Sequence, residues 1–223
     1  MSWSTGKDST LALARAREDP ELEVVGLLTT LNAEADRVAM HAVRRELLLA
    51  QADALGLPVH AVELPWPCSN EQYERLMSEA VESARSDGVT RMLFGDLHLA
   101  DVRAYRESAL GGTGIQPVFP LWGRSTSELA AEMVERGIRA TITCVDPRQL
   151  DASFAGRSFD RSLIADLPEG VDPCGENGEF HTFVHDGPGF AAPIVVRVGE
   201  VVERDGFVFA DVLGDSAPSV RVN

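Results

Sequence analysis

The sequence predicts an α/β fold, with a parallel sheet and its helices over residues 1–122 and a smaller α+β unit over residues 123–223. Three observations predict it. Short apolar runs alternate with helical periodicity over residues 9–94, the pattern of βαβ units. That alternation stops after Pro117-Val118-Phe119-Pro120-Leu121-Trp122. The only lysine of the chain, Lys7, stands at a loop-to-helix junction, where first-turn N–H groups and the helix dipole favour an anion.

The elements follow in order. Residues 9–18 read as a helix stopped at Asp19-Pro20. Residues 23–30 read as a buried strand. A second helix is expected over residues 35–55, with Val43, Leu47, Ala50 and Ala54 on one face and Gly56 past its end. Residues 59–64 form a short strand, and Asn70 caps a third helix whose core face carries Tyr73, Met77, Ala80 and Ala84. Residues 89–94 run as a strand into Gly95-Asp96. Right-handed crossovers bring the Lys7 loop, Thr29-Thr30 and Gly95-Asp96 to one rim, at the carboxyl ends of the strands. Such a sheet also needs a strand ahead of the Lys7 loop, where three residues precede Ser4. In the second unit, Ser125 caps a helix to Arg136, residues 138–145 form a strand, and a glycine- and proline-rich stretch follows. Residues 194–203 and 207–213 form a hairpin around Asp205-Gly206.

Composition narrows the function. The net charge of −15 repels polyanions and argues against nucleic acid as a partner. No apolar run approaches the roughly 20 residues of a membrane span. Cys68, Cys144 and Cys174 form no CxxC, and no secretory leader is read, so a cytoplasmic location is expected. A homo-oligomer is left open.

Ser4-Thr5-Gly6-Lys7-Asp8-Ser9 fails the Walker A pattern, because Asp8 follows the lysine and Met1 stands where the first glycine belongs. It resembles the S-G-G-x-D-S signature of the PP-loop ATP pyrophosphatases, with Thr5 in place of the first glycine. A capped surface turn is the plainer alternative for six residues. A second segment, Asp172-Pro173-Cys174-Gly175-Glu176-Asn177-Gly178-Glu179-Phe180-His181-Thr182, resembles the G-E-[NG]-G-E-[FY]-[HE]-T element of the diphthine–ammonia ligase family, a branch of that superfamily. Gly95-Asp96, Arg103, Arg106-Glu107 and Gly187-Pro188-Gly189-Phe190 are similar to its other motifs and in its order. Thr29-Thr30-Leu31-Asn32, with Arg37, Met40 and His41, resembles its bacterial members in particular.

The resemblance implies a Rossmann-like, HUP-type nucleotide domain and an ATP-dependent ligase. A substrate carboxylate would be adenylated with release of pyrophosphate, and ammonia would then displace AMP. It implies ATP contacts from Ser4, Thr5, Gly6, Lys7, Asp8, Ser9, Thr29, Thr30, Gly95 and Asp96. Lys7 would neutralise phosphate charge, and its removal is expected to spare the fold. Asp8 and Asp96 would hold Mg²⁺ through oxygen, although Asp8 alone also reads as a first-turn acid. Catalytic work is expected of Lys7, Asp8, Glu176, Glu179 and His181. Substrate contacts are expected from Arg103, Glu107, Glu176, Asn177, Gly178, Glu179, His181 and Thr182. Glu179→Gln is expected to impair substrate use more than ATP binding. Arg106 reads as a solvated helix face, His41 makes a weak case, and Cys174 is not needed by an adenylate route. The bacterial likeness implies a small-molecule or protein carboxylate other than diphthine. Two other readings stay open: a non-catalytic nucleotide-binding module, and a PP-loop tRNA-modifying enzyme, whose CxxC and basic face are missing here.

Overall fold

Residues 1–3 run extended through the middle of a parallel sheet. The structure, a computed structural model, describes residues 1–215; the end of the expected second unit, 216–223, lies outside the described residues. The first half runs α1 (Lys7–Glu18), β1 (Leu27–Asn32), β2 (Arg37–Val38), α2 (Arg45–Leu55), β3 (Val59–Leu64), α3 (Asn70–Ser86), β4 (Arg91–Leu93), α4 (Ala100–Leu110) and β5 (Gln116–Val118). β1 pairs in parallel with β3, and β4 with β5. The first residues join these pairs: Ser2 N–H donates to the Leu93 carbonyl (2.9 Å) and Trp3 N–H to that of Leu28 (2.7 Å). The lateral order is therefore β3, β1, residues 1–3, β4, β5. The chain leaves the central strand toward β1 and later returns on its other side at β4, which opens a crevice at the carboxyl ends. The Lys7 loop and Gly95-Asp96 both follow strands that flank this crevice.

The second half runs α5 (Thr126–Glu135), β6 (Arg139–Val145), β7 (Ser158–Phe159), α6 (Arg161–Asp166), β8 (Phe180–Asp186), β9 (Val196–Arg204) and β10 (Phe207–Gly214). These strands make an antiparallel sheet in which β6 pairs with β7, β8 and β10. Helix α1 also packs on β8, so it is covered on more than one side. Leu11, Ala12 and Leu13 are all fully buried, as expected where one turn of a helix is apolar around its circumference. One hydrophobic core runs through both halves and includes Leu11, Leu31, Leu121, Ile142 and Phe183. Among the described residues no helix is long and apolar enough to cross a membrane.

Three expectations are corrected. The second helix spans only Arg45–Leu55. The segment before it is a turn and the short strand β2, because Asp36, Met40 and Ala42 adopt left-handed φ of 53°, 63° and 54° that no helix interior accepts. Asn32 starts that turn by accepting the Glu34 and Ala35 N–H groups on its side chain. The first long strand begins at Leu27, not at residue 23, where Leu27 N–H meets the Pro58 carbonyl (2.9 Å) and the ladder with β3 begins. The cap of α3 is Ser69, in a capping box with Gln72.

Candidate active site

Helix α1 starts at the crevice. Its N-cap, Gly6, has no side chain to accept a first-turn N–H. Thr182 of β8 does this instead: its Oγ1 accepts the Lys7 N–H at 3.1 Å, across 175 positions of sequence. The N–H groups of Asp8 and Ser9 have no intrahelical acceptor and lie at the positive end of the dipole. A Cβ on Gly95 would stand 3.0 Å from the Ser9 nitrogen, so glycine alone permits the end of β4 to approach the helix so closely. Ser4 and Ser9 close the loop through their hydroxyls (2.8 Å).

Thr5, at the position where the resembled signature has glycine, is in the left-handed region with φ of 71°. For a β-branched residue this costs about 1–2 kcal/mol. Its carbonyl accepts two hydrogen bonds, from Val184 N–H and Gln51 Nε2, both at 3.0 Å. Its hydroxyl is buried without a partner among the described residues.

The crevice holds a cavity of about 380 Å³. Its polar walls include Lys7, Asp8, Thr29, Asp96, Arg106 and Glu176, and its apolar lining includes Met77 and Phe94. Lys7 is 2% exposed. Its Nζ donates to both Asp8 oxygens (3.0 and 3.2 Å) and to the Cys174 carbonyl, and sits 5.2 Å from the Phe180 ring centroid. Burial works against this charge, but Asp8 and other nearby negative groups outweigh it and hold the ammonium above its ordinary pKa. The lysine thus faces the segment at 174–182 and binds it to the Ser4–Ser9 loop.

Burial pushes the carboxyls of Glu176 and Asp96 above their ordinary values. One Glu176 oxygen accepts the N–H groups of Leu97 (2.9 Å) and His98 (3.4 Å). Asp96 lies 3.5 Å from Arg106 Nε, and neither of those two atoms has a hydrogen-bond partner among the described residues. The Thr29 hydroxyl is also buried and unpartnered among the described residues. Buried polar atoms are rarely left so. The unpartnered Thr29 hydroxyl and the long Asp96–Arg106 ion pair on one cavity, beside open helix N–H groups, fit the phosphates and polar edges of a nucleotide.

The other expected residues divide. Ser4, Thr30, Gly178, His181 and Thr182 also line the cavity. Glu179 does not. It is 3% exposed and turned into its own loop, where it accepts from Asp172 N–H (3.0 Å), Asn177 N–H (2.9 Å) and Asn177 Nδ2 (3.0 Å). Asn177 is exposed, and it too is absent from the cavity lining. Arg103 pairs with Glu107 (2.8 Å) and lies over the contacting rings of Phe119 and Trp122, at 4.8 and 4.7 Å from their centroids, away from the cavity. Arg106, one helical turn on, faces the cavity over Phe94. Sequence reasoning weighed Arg106 and passed over it, because helix spacing alone does not say which arginine faces inward. It missed Gln51 and the Cys174 carbonyl altogether: a polar residue on an apolar helix face and a backbone atom leave no pattern.

His41 and His181 stack with centroids 4.7 Å apart, and His41 Nδ1 donates to the Thr182 carbonyl (3.0 Å). Burial, then the neighbouring charges of His41 and Lys7, lower His181 to about 3. His181 is therefore a neutral partner rather than an efficient base at neutral pH. Between its ordinary 6.5 and about 3, the unfolded chain binds a proton that the folded chain does not. Stability should therefore fall with decreasing pH in that window, by at most about 1.4 kcal/mol per pH unit for this group. The raised carboxyls of Asp96 and Glu176 act in the opposite sense, just above the ordinary carboxyl range. Urea titrations at pH 7 and pH 5 are expected to show a smaller acid loss for His181→Asn than for the parent; equal losses would contradict the assignment.

Thiol chemistry has no support in this site. Burial raises Cys174 strongly and takes Cys144 to about 12. No cluster of three or more metal-ligating His, Cys, Asp or Glu side chains is present among the described residues.

Two family descriptions match the chain: "Diphthamide synthase N-terminal domain" over residues 1–117 and "Diphthamide synthase C-terminal domain" over residues 125–210. A human protein named diphthine–ammonia ligase is 27% identical over 195 residues, covering 80% of this chain and 73% of the relative. A Danio rerio protein of the same name is 28% identical over 201 residues, covering 80% and 76%. A Bos taurus protein so named is 34% identical over 120 residues, covering 51% and 45%.

Proposed function

We propose, because this chain belongs to the diphthamide synthase family, that it is an ATP-dependent carboxylate–ammonia ligase that forms AMP and pyrophosphate. The observation that carries the reading is the meeting of two segments at one cavity. The Ser4–Ser9 loop and the 174–182 segment are joined by the Lys7–Thr182 and Lys7–Cys174 hydrogen bonds. An anion-binding helix start thus faces an acidic loop, which is what joining a nucleotide phosphate to a carboxylate and then to ammonia requires.

ATP supplies the adenylate that converts a carboxylate's oxide into a leaving group. On the protein side, the N–H groups of Asp8 and Ser9 hold phosphate oxygens at the start of α1. Lys7 and Arg106 supply the positive charge on the cavity wall. Thr29, Thr30 and Gly95 bound the nucleotide. Asp8 and Asp96 would hold Mg²⁺; two carboxylates are few ligands, but Mg²⁺ commonly takes the rest from phosphates and water. Glu176 has one oxygen committed to Leu97 and His98 and the other open. Its raised pKa suits it to take the proton that ammonium must lose before nitrogen attacks the activated carbonyl. His181, neutral, orients the acceptor by hydrogen bonding. Glu179 shapes the loop that presents Glu176.

The relatives act by name on diphthine; a carboxylate of that kind or a smaller one is the acceptor class here. ATP–pyrophosphate exchange tests the reading, with diphthine and a panel of small carboxylates as separate arms. Exchange is expected only when the accepted carboxylate is present. ADP formation, or carboxylate-independent exchange, would count against the reading.

A further inference from the structure

We propose that Gln51 is a positioning residue for the Ser4–Ser9 loop, required because Thr5 stands at the loop's left-handed position. This rests on the nucleotide reading of that loop. Gln51 lies on α2 and is fully buried. Its side-chain oxygen accepts the Trp3 indole N–H (2.9 Å), and its Nε2 donates to the carbonyls of Thr5 (3.0 Å) and Val184. One amide thus ties together the central strand, the loop and β8.

The Thr5 carbonyl is the atom that needs restraint. A β-branched residue leaves the left-handed region readily, whereas glycine populates it freely. If Thr5 relaxed to negative φ, the Thr5–Gly6 peptide would rotate and the start of α1 would no longer aim its N–H groups into the cavity. Two donors converge on that carbonyl, Gln51 Nε2 and Val184 N–H, both at 3.0 Å. They oppose the rotation. Gln51 and Thr5 are therefore a coupled pair: the threonine creates the demand that the glutamine meets.

The test is a double-mutant cycle on the full chain, read by calorimetric ATP affinity and by AMP-forming turnover. Gln51→Met keeps the side-chain length and removes both donors together with the oxygen that accepts the Trp3 N–H. It is expected to weaken ATP binding at least tenfold and to lower turnover at saturating carboxylate. Thr5→Gly sets the reference ATP affinity for the cycle. The double variant is expected within threefold of Thr5→Gly, because glycine holds the loop conformation unaided. Equal losses from Gln51→Met in both backgrounds would overturn the proposal, as would parent-like ATP affinity in Gln51→Met. If Gln51→Met alone does not fold, the coupling is read from urea midpoints: recovery of a folded double variant supports it, and failure of both overturns it. A parent that binds no ATP overturns the nucleotide reading together with this one, whereas uncoupled losses overturn this one alone.

Discussion

Lys7→Met is expected to abolish AMP formation and also to destabilise the protein. The sequence alone presents Lys7 as a phosphate-neutralising charge whose loss spares the fold. The structure buries it, with Asp8 and the Cys174 carbonyl as partners. Removing one member of a buried pair leaves the other uncompensated, a loss of several kcal/mol in dry interiors. Asp8 is 26% exposed, so water recovers part of that, and about 2–3 kcal/mol is expected. For a chain of this size the midpoint of a thermal melt should drop by roughly 5–10 °C. Loss of a transition-state charge should lower turnover by a further factor of about 10² or more. The two effects separate in Lys7→Met with Asp8→Asn. Neutralising the stranded carboxylate should restore much of the stability and none of the activity. A Lys7→Met protein with parental melting and parental turnover would remove the residue from both roles.

Glu179→Ala carries the second large effect, and it is a stability effect. The side chain satisfies the Asp172 and Asn177 N–H groups inside a loop it scarcely leaves. Each fully buried donor left without an acceptor costs about 1–3 kcal/mol; Asp172 is half-buried and Asn177 exposed, so water recovers part of this and a total of about 2 kcal/mol is expected. Glu179→Gln keeps an acceptor oxygen but places amide hydrogens against N–H groups that also donate, and should fall between. Glu176→Gln should leave the melting temperature within about 2 °C of the parent while lowering turnover, because that carboxylate lines the cavity. Two glutamates three positions apart thus separate under one pair of measurements, thermal melting and turnover. If Glu179→Ala melts like the parent and loses activity, the loop-building role is wrong and the residue contacts substrate.

The parts of this site that were legible from sequence share a cause. Lys7, Asp8, Gly95 and Asp96 stand at the ends of strands or the start of a helix, where chain direction alone sets position; Glu176, in the loop before β8, was legible only through the segment that resembles the family element. The β9–β10 hairpin was legible because Asp205-Gly206 supplies the turn its geometry demands. Residues 35–44 were misread as helix because their apolar spacing suits one, while the left-handed φ values at Asp36, Met40 and Ala42 leave no spacing signal. The choice of Arg106 over Arg103 depends on Phe94 and Asp96 lying beneath it, a tertiary fact. The inward turn of Glu179 is likewise invisible, since Glu-Asn-Gly-Glu reads equally well as two exposed acids. Gln51 shows the limit most clearly. Its value comes from three partners at positions 3, 5 and 184, and none of them is near it in the chain.

The central claim is that a carboxylate oxygen attacks the α-phosphorus of ATP in this cavity. The direct measurement is mass spectrometry of AMP formed from an ¹⁸O-labelled carboxylate, diphthine or whichever small carboxylate supports exchange, with ATP and ammonia present. One ¹⁸O atom in the AMP phosphate, alongside an amide product, is the predicted result. Label in released phosphate or pyrophosphate, or AMP whose new oxygen comes from water, would contradict it.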